Sequence, residues 1–588
     1  FGKCIRRNKI ESDFWSSESE SNTIKTISKS GLWAKLFPFG FWYEFVQLAK
    51  LAGPIMLTAL AINTICVVSI LFCGRLGRAE LAAIGLAISV FNVTAIAIIQ
   101  GLATACDTLF AQTYGGTKKF NMGIQLQRAL FLITISCFPS MGLHLCIEPV
   151  LLAMRQHPIT SKTVGTYLLY TMPAVVFAAI YTVLTKFIQT QNKVLAPLAI
   201  GFLGNGLNAL LHYIILYHTS MGLKGSAISL SICFFVETAL SVLYIYFSKI
   251  YKETYNGYSP EMWNDWKKWY KLAIPGLIML GLQWWIFEIG TICSGIVGET
   301  ELAAQSILFN LDAIVFTLLP LGLGVAASIR VGHFLGAADA IGPKSTSNVS
   351  LFTIWIIGVI LMILFIIFRD QLPLIFTNDR KVASNTSAAI PALAVFILFD
   401  CSVGVSGGIL RGSGLQKIGA ITVFLSLYIV GAPIAFCLLF LTDLSITGLW
   451  IGFAIGTMLV STSYVATCFL VDWKKQTVLA QERTRISNEE QLVQPDRQNG
   501  SADSSSIETT TTTSGHAKAK LILRRVLLTA CLLAIFLSSL GCRLYFRWVD
   551  VFGVYCIFEN GTYVRTGEVE EERAQGFALL NNCTLFAP

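Results

Sequence analysis

Long apolar runs recur along almost the whole chain, and they restrict its fold more than any other feature. Thirteen runs carry few or no charges, near 51–73, 81–106, 129–151, 163–185, 194–217, 225–248, 272–297, 302–328, 348–368, 382–410, 418–442, 446–471 and 522–542. A helix of about 20 apolar residues crosses the hydrocarbon core of a bilayer. Apolar residues do not alternate with period two, as a membrane barrel requires. With 13% charged residues, the chain is predicted to be an all-α polytopic membrane protein.

The sequence also repeats itself. Leu51-Ala-Gly-Pro54 matches Leu272-Ala-Ile-Pro275, and Gly101 matches Gly322, both at an offset of 221 residues. Each repeat holds six spans, so both repeats enter the membrane in the same direction. A pseudo-two-fold axis along the membrane normal should relate them. The predicted fold is two six-helix lobes plus an appended thirteenth C-terminal transmembrane helix, an architecture typical of secondary transporters.

Domain boundaries follow from the same runs. We predict a cytosolic N-terminal arm (1–45), an N-lobe (46–248), an inter-lobe cytosolic loop (249–271) and a C-lobe (272–471). A cytosolic low-complexity linker (472–521), the thirteenth helix (522–542) and an extracellular tail (543–588) follow.

Basic residues predict how the chain is oriented. A cytosolic N-terminus places about 30 of the 43 Lys and Arg residues inside, as the positive-inside rule requires. The C-terminus is then extracellular, and the plasma membrane is the expected location. Asn560 and Asn582 are glycosylation sequons that agree with this orientation. In an oxidising space, Cys542, Cys556 and Cys583 are candidates for pairing two at a time.

Carboxyl groups inside the spans are the main candidates for function, because ionisable residues are costly in a membrane. Glu288 lies near the middle of the seventh span and Asp400 lies in the tenth. A carboxyl group in low dielectric can exchange a proton for a cation, so these two residues are predicted to couple proton and cation movement. Weaker candidates are Asp107, Asp312 and Glu237, for which snorkelling or structural hydrogen bonding is the competing interpretation.

Aromatic and amide side chains accompany these acids. Trp284 and Trp285 precede Glu288 by four and three residues, so they share its helix face. Indole rings bind organic cations, whereas the competing interpretation is an aromatic belt at the membrane interface. Deep amides either line a cleft or join helices; they are Gln283, Asn310, Asn92 and Asn63.

The motifs of several other classes are missing from the sequence. It contains no Walker A, kinase or zinc-hydrolase motif and no Cys/His metal spacing. We therefore expect no enzyme activity, cofactor, metal, nucleic acid or obligate protein partner. The expected partners are small organic cations, protons and the lipid bilayer. A lipid-linked sugar flippase, a membrane receptor and a transport-inactive relative with a scaffold role are the alternatives.

At these residues the chain resembles the multidrug and toxic compound extrusion (MATE) family, specifically its animal branch. The similar stretches, between about 46 and 471, are Leu51–Pro54, Cys73–Gly77, Asn92–Thr94, Cys106–Leu109, Gln112–Gly115, Trp284–Trp285, Glu288, Leu302–Ser306 and Leu410–Gly414. The resemblance implies two lobes of six helices and export of organic cations and xenobiotics in exchange for protons. Asn92 and Asp107 match positions that the family uses in its first lobe.

Three positions depart from the pattern that the resemblance implies. Animal members carry glutamates on both sides of the Trp pair, and here the first is Gln283. A glutamate of the eighth span is replaced by Asn310, and one of the tenth span by Asp400. Asp312 lies two residues from Asn310, about 200° around the helix, and so faces another way. The resemblance thus assigns the proton site to Glu288 together with Asp400.

Overall fold

The computed structural model describes residues 40–485, 507–546, 548–553, 555–558, 563–565 and 583–586. The chain divides into two compact units, Phe1–Gln47 and Leu48–Pro588. The described part of the first unit, residues 40–47, contains the first turns of a helix. The second unit contains the remaining described elements.

Thirteen helical segments among the described residues are long and apolar enough to cross a membrane, which is the predicted number. Spans one to six are Phe41–Cys73, Glu80–Gly115, Asn121–Leu145, Met172–Thr190, Leu195–His218 and Leu223–Phe247. Spans seven to thirteen are Trp266–Val297, Glu299–Gly336, Gly342–Ile367, Arg380–Ser413, Gln416–Leu441, Ser445–Leu470 and Ile522–Tyr545. The predicted polytopic helical fold is confirmed.

Several spans consist of more than one helix. From the first span to the sixth, the helices in chain order are α1 (Phe41–Cys73), α2 (Arg78–Phe91), α3 (Ala97–Gly115), α4 (Asn121–Ser136), α5 (Phe138–Leu145), α6 (Ile147–Ala153), α7 (Pro158–Tyr170), α8 (Met172–Thr190), α9 (Leu195–His218) and α10 (Leu223–Phe247), of which α6 and α7 lie between spans three and four. The remaining helices are α11 (Trp266–Val297), α12 (Glu299–Leu318), α13 (Pro320–Gly336), α14 (Gly342–Ile367), α15 (Arg380–Ser413), α16 (Gln416–Val423), α17 (Ala432–Leu441), α18 (Ser445–Leu470), α19 (Trp473–Thr484), α20 (Ile507–Tyr545) and α21 (Trp548–Phe552).

Two spans contain a wider, π-helical turn. In span two, residues Asn92–Ile96 form this turn between α2 and α3. The hydroxyl of Ser140 donates to the carbonyl of Thr94 at 2.5 Å, which gives that carbonyl a partner outside its own helix. In span eleven the π turn is Phe424–Gly431, between α16 and α17. Such turns are frequent at functional sites, and the sequence pattern gave no sign of them.

The fourth predicted span, 163–185, contains a break that periodicity did not indicate. Helix α7 ends at Tyr170 and α8 begins at Met172. Pro173 lies in the first turn of α8, where the missing N–H has no helical partner to lose. The break therefore follows from the proline.

Reciprocal contacts between the lobes reveal the pseudo-two-fold axis. A Cβ on Gly101 would lie 2.7 Å from the Cα of Leu277, and a Cβ on Gly322 would lie 2.9 Å from the Cα of Met56. These two contacts exchange under the offset of 221 residues, which is the reciprocity of an isologous interface. The axis passes beside Ala111.

Ala111 and Gly332 mark that axis, because each is the other's repeat partner and the two are in contact. One further reciprocal pair lies near them. A Cβ on Gly115 would lie 2.6 Å from the Cα of His333, and a Cβ on Gly336 would lie 2.9 Å from the carbonyl carbon of Gln112. Small residues therefore let α3 and α13 pack closely at the end of spans two and eight.

Polar bonds join the lobes at the same end. The hydroxyl of Thr108 donates to the carbonyl of Arg411 at 2.5 Å and accepts from the Gln416 amide at 2.6 Å. The amide of Gln112 donates to the carbonyl of Gly412 at 2.9 Å. We call this end, where α3 meets α13 and α15, the closed end of the molecule.

The segments outside the twelve core spans are more structured than the sequence suggested. The inter-lobe loop contains two 3-10 turns, Ile250–Glu253 and Pro260–Trp263. The linker predicted over 472–521 begins with helix α19, whose Arg483 donates to the carbonyl of Ser413 at 2.9 Å. Its last part, from Ile507, is the start of α20, and residues 486–506 lie outside the described part.

The thirteenth span follows the C-lobe in sequence but packs on the N-lobe. Helix α20 lies against α5, with the rings of Phe138 and Phe536 at a centroid distance of 5.5 Å. Beyond it, the tail forms a small antiparallel sheet of order β2-β1-β3, with β1 (Tyr555–Phe558), β2 (Tyr563–Arg565) and β3 (Cys583–Phe586). The sequence analysis did not predict this sheet.

Candidate functional site

Asp312 and Asp400 form an acidic pair inside the C-lobe. Asp312 is buried on α12, and Asp400 is partly buried on α15, which packs against α12. The two carboxyl groups interact electrostatically. Among the described residues, no Lys or Arg side chain acts on either carboxyl group. The pair therefore has no basic partner among the described residues, so a proton or an added cation would have to neutralise it.

This arrangement differs from the sequence interpretation of the eighth span. Asp312 faces into the lobe, whereas Asn310 is exposed and donates to the carbonyl of Ser306 in its own helix at 2.7 Å. The angle of about 200° between the two positions directs Asp312, and not Asn310, toward Asp400. Asp312 thus supplies the second acid next to Asp400.

A small cavity opens beside Asp400. It is lined by Gln283 and Phe287 from α11, by Phe396 from α15 and by Phe453 from α18. The ring of Phe287 lies 5.7 Å from that of Phe396 and 5.7 Å from that of Phe453. An aromatic wall next to a carboxyl group excludes water while it offers ring faces to a cation.

Glu288 points elsewhere. It is half-buried, and the hydroxyl of Ser89 on α2 donates to its two carboxylate oxygens at 3.5 and 3.4 Å. Phe287 lines the cavity at Asp400, whereas its neighbour Glu288 meets the N-lobe. The structure thus brings Asp400 together with Asp312, and it places Glu288 against Ser89 at the interface between the lobes.

The tryptophan pair is divided between two environments. Trp284 is 38% exposed. Trp285 is less exposed, and its indole nitrogen is buried without a hydrogen-bond partner among the described residues. The rings that surround Asp400 are phenylalanines, not these indoles.

Two asparagines of the N-lobe lie near the C-lobe or in an irregular turn. The amide of Asn63 on α1 donates to the hydroxyl of Thr317 on α12 at 3.0 Å, which is a bond between the lobes. Asn92 is half-buried and begins the π turn of span two. Asn63 thus joins helices of the two lobes, which was one of the two interpretations of the deep amides.

Asp107 belongs to a buried ion network at the closed end. Its carboxylate lies 2.5 Å from the Lys186 ammonium and 3.5 Å from the Arg411 guanidinium. Lys186 is on α8 in the N-lobe, and Arg411 is on α15 in the C-lobe. Both of its ion-pair partners in this structure are protein cations, so Asp107 is an element of the lobe interface.

Glu237 is isolated within the N-lobe. It is fully buried on α10, and both carboxylate oxygens lack a hydrogen-bond partner among the described residues. Gly204 of α9 leaves room for it, because a Cβ at that position would collide with the carboxylate. The geometry separates Glu237 from the acids of the C-lobe.

The remaining sequence candidates lie in the tail. The sequons at Asn560 and Asn582 are outside the described residues, as are the side chains of Cys556 and Cys583. Cys542 carries a free thiol.

Sequence reasoning missed the residues that contact the acids from other elements. Ser89 carried no signal, because a serine on an apolar helix is common. Arg411 was noted only within the stretch Leu410–Gly414, with no indication that it contacts Asp107. The spacing of Phe287, Phe396 and Phe453 gives no indication of a shared cavity, since they come from three different spans.

The chain is similar over most of its length to known transporters. The MatE family model matches it twice, over residues 54–214 and 275–437, in agreement with the internal repeat. It is 39% identical to multidrug and toxin extrusion protein 1 of Mus musculus, over 78% of this chain and 80% of the mouse protein. It is 38% identical to the Homo sapiens protein of the same name, over 76% of this chain and 78% of that protein.

Solved structures agree with the fold. The eukaryotic MATE transporter AtDTX14 superposes with a TM-score of 0.73 at 25% identity, and the match covers 76% of this chain and 100% of that chain. The Vibrio cholerae MATE transporter VcmN, in its bent form, superposes with a TM-score of 0.63 at 16% identity, covering 76% of this chain and 99% of that one. The protein is a multi-pass efflux transporter and not an enzyme, and it belongs to the MatE family.

Proposed function

We propose that this transporter exports organic cations in exchange for protons, and that Asp312 and Asp400 together hold the proton. The observation that carries the proposal is the acidic pair without a countercharge. Two neighbouring carboxylates in low dielectric repel each other, so the pair gains most from binding one proton or one cation. A site that both ligands neutralise binds them in competition, which is the requirement for antiport.

Glu288 is proposed to contact the organic cation. It lies at the junction of the lobes, half-buried and bonded to Ser89 across the interface. Rocking of the lobes would break or re-form this contact, so the exposure of Glu288 changes with the access state. The partly exposed ring of Trp284 and the amides of Asn310 and Asn92 are proposed to line the path to it.

Gln283 is proposed to connect the two acidic positions. It lines the cavity at Asp400 and lies on the same helix as Glu288, five residues before it. Its neutral amide leaves Asp312 as the second acid of the pair. Asp107 and Glu237 are left out of the exchange site, since the first is ion-paired and the second lies apart in the N-lobe.

The proposed orientation has the N-terminus in the cytosol, the C-terminus outside and the plasma membrane as the location. Support comes from the basic residues of the predicted cytosolic segments and from the two tail sequons. In this orientation the closed end, at Gly115 and Gly336, faces the cytosol. Glycosidase treatment tests it: a mobility shift that Asn560→Gln and Asn582→Gln abolish together is expected, and no shift in protein from animal cells would contradict it.

Transport is tested with purified protein in proteoliposomes. Uptake of a fluorescent organic cation into vesicles with an acidic interior is expected to collapse when an ionophore removes the pH gradient. A sodium gradient alone should not replace it. Uptake that persists without a pH gradient would refute proton coupling.

Three variants test the roles of the acids. Asp312→Asn and Asp400→Asn should each abolish the dependence of uptake on the pH gradient, whereas Glu288→Gln should mainly weaken cation binding and raise KM. Asp370→Asn is the matched control, because Asp370 is a surface acid, 69% exposed and paired with Arg369. Normal proton-driven uptake in both aspartate variants, at equal protein amounts, would overturn the assignment.

A further inference from the structure

The contact between α20 and α5 is built from small residues and closely placed polar groups. A Cβ on Gly142 would lie 2.9 Å from the hydroxyl of Ser539, so a larger residue there would force the Ser539 side chain to move. One turn further along the chain from Gly142, the thiol of Cys146 donates to the carbonyl of Ser539 at 3.6 Å. Gly142 and Cys146 share a helix face by their spacing of four, and Ser539 and Cys542 share one by their spacing of three.

These two faces bring the thiols of Cys146 and Cys542 together. The thiol of Cys146 lies within hydrogen-bonding reach of that of Cys542. Both residues are partly exposed, and both thiols are free. Buried cysteines elsewhere in the spans, such as Cys106 and Cys233, serve as small core residues. Cys146 and Cys542 differ because they face each other from two segments nearly 400 residues apart.

Charged groups next to the thiols indicate that this end lies at the membrane surface. The guanidinium of Arg543 donates to the carbonyl of Leu145 at 2.8 Å and lies 4.0 Å from the carboxylate of Glu148. Arg543 is 21% exposed. An ion pair of this kind belongs at the headgroup level and not in hydrocarbon. Water-soluble oxidants can therefore reach both thiols.

We propose that Cys146 and Cys542 form a disulfide that fastens the thirteenth span to the N-lobe. The assignment rests on the proposed orientation, which places this end outside the cell, where disulfides persist. The oxidant is a small-molecule disulfide of the secretory pathway, such as oxidised glutathione. One cysteine thiolate attacks a sulfur of the oxidant, forms a mixed disulfide and releases one small thiol.

The second cysteine then attacks the mixed disulfide at the protein sulfur and releases the second small thiol. Two protein thiols are oxidised to one disulfide, and one small disulfide is reduced to two thiols, which receive the two protons. Burial raises the pKa of Cys146, and the Cys542 thiol raises it further, with Arg543 opposing. Because the thiolate is the reactive form, exchange at the docked helix should be slow.

A cleavage experiment on the full chain tests the disulfide. A protease site is introduced between residues 490 and 500, free thiols are blocked with N-ethylmaleimide before lysis, and the purified protein is cut. Without reductant, the cut protein is expected to migrate as one full-length band. With dithiothreitol it should separate into a body and a short C-terminal fragment. Separation without reductant overturns the proposal.

Three variants identify the cysteines. Cys542→Ser and Cys146→Ser should each release the fragment without reductant. Cys531→Ser is the matched control, because Cys531 is an exposed cysteine of the same helix, and its fragment should stay attached. Release in only one of the first two variants would mean that a different cysteine, of the tail or of the body, forms the other half of the bridge, which also overturns the assignment.

The cross-link and the transport proposal fail independently. The gel reports bond formation whether or not the protein transports a cation. If no bridge forms in cells but diamide produces it in isolated membranes, the geometry is right and the disulfide proposal is wrong, with the orientation as its faulty step. The glycosidase experiment then identifies that fault, and proton-driven uptake remains a separate measurement.

Discussion

Neutralising Asp107 should open the closed end of the molecule. In the described state its carboxylate lies between Lys186 of the N-lobe and Arg411 of the C-lobe, and the side chains of Asp107 and Arg411 are each 7% exposed. Asp107→Asn keeps the shape of the side chain but removes the charge. Arg411 then becomes a buried cation without a partner, whereas separation of the lobes would expose it to water.

The magnitude follows from which ion pair crosses the interface. Removing one partner of a buried ion pair costs about 3–5 kcal/mol. The contact with Lys186, at 2.5 Å, lies within one lobe, so its loss destabilises the closed and open states equally. The contact with Arg411, at 3.5 Å, exists only while the lobes are together. We therefore take the lower value, about 3 kcal/mol, which shifts the equilibrium toward opening about 10²-fold.

Labelling of an introduced cysteine measures this shift. Thr104 is 1% exposed, and its hydroxyl touches Gly276 of the other lobe, so Thr104→Cys is a sensor of opening. In inside-out vesicles, a membrane-impermeant maleimide should label this cysteine much faster in the presence of Asp107→Asn. Protein without Thr104→Cys gives the background from native cysteines.

Two comparisons make the result interpretable. Asp370→Asn removes a charge from an exposed surface pair, which is worth about 0–1 kcal/mol, and should leave the labelling rate unchanged. Adding Arg411→Gln to Asp107→Asn removes the unpaired cation and should restore part of the protection. Equal labelling rates with and without Asp107→Asn, in folded protein, would refute the interpretation of this network as a lock.

Three further perturbations have definite expected results. Gly332→Ala would place a methyl group against Ala111 on the pseudo-two-fold axis, and overpacking should cost about 1–3 kcal/mol, seen as a lower Tm by differential scanning fluorimetry. Ser89→Ala removes hydrogen bonds to Glu288 that are long, at 3.4–3.5 Å, and therefore worth about 0.5 kcal/mol, the lower end of the usual range. KM for the cation should change less than about threefold, and a tenfold change would contradict this. Burial raises the pKa of Glu148, so the stability that this carboxyl group contributes is fully present below the ordinary carboxyl range and is lost as pH rises through the raised pKa. Glu148→Gln should therefore show a smaller fall in Tm from pH 4 to pH 8 than the unaltered protein, and equal falls in Tm would contradict this.

Local patterns in the sequence predict the scaffold of this protein well. Apolar runs give the spans because each helix must satisfy its own backbone in lipid. The offset of 221 residues gives the duplication, and Gly101 and Gly322 become reciprocal contacts of the two lobes. The apolar runs are properties of single segments, and the repeat is found by comparing one segment with another. Both can be read directly from the sequence.

The candidate site depends on helix rotation, which a sequence does not display. The deep acids were recognised from their depth, but their partners were not. Glu288 meets Ser89, 199 residues away, while the adjacent Phe287 lines the cavity of Asp400. A rotation of α11 by one residue, about 100°, would exchange these roles. Asp312 was only a weaker candidate for the same reason: its angle from Asn310 was known, but the direction of either residue was not.

Symmetry separates the two ends of the molecule. At the closed end, contacts are exchanged by the repeat, and Ala111 and Gly332 meet on the axis. At the acids this equivalence is lost, because the same offset places Phe91 opposite Asp312 and Val67 opposite Glu288.

A duplicated chain needs its symmetry only where two lobes must separate and meet again, since equal surfaces there give one well-defined closed contact. The proposed coupling site has no such need, and under the proposed exchange two symmetric acidic sites would each bind a proton and a cation and alter the ratio of exchange. We therefore expect the ratio of protons to cations to depend on the presence of this acidic pair, Asp312 and Asp400, in one lobe only. Phe91→Asp, which would place a carboxyl group at the repeat position of Asp312, should either unfold the N-lobe, where Phe91 is 1% exposed, or change the number of protons moved per cation in a reversal-potential measurement. A folded variant with unchanged stoichiometry would show that an acid at this depth is insufficient without a second carboxyl group beside it.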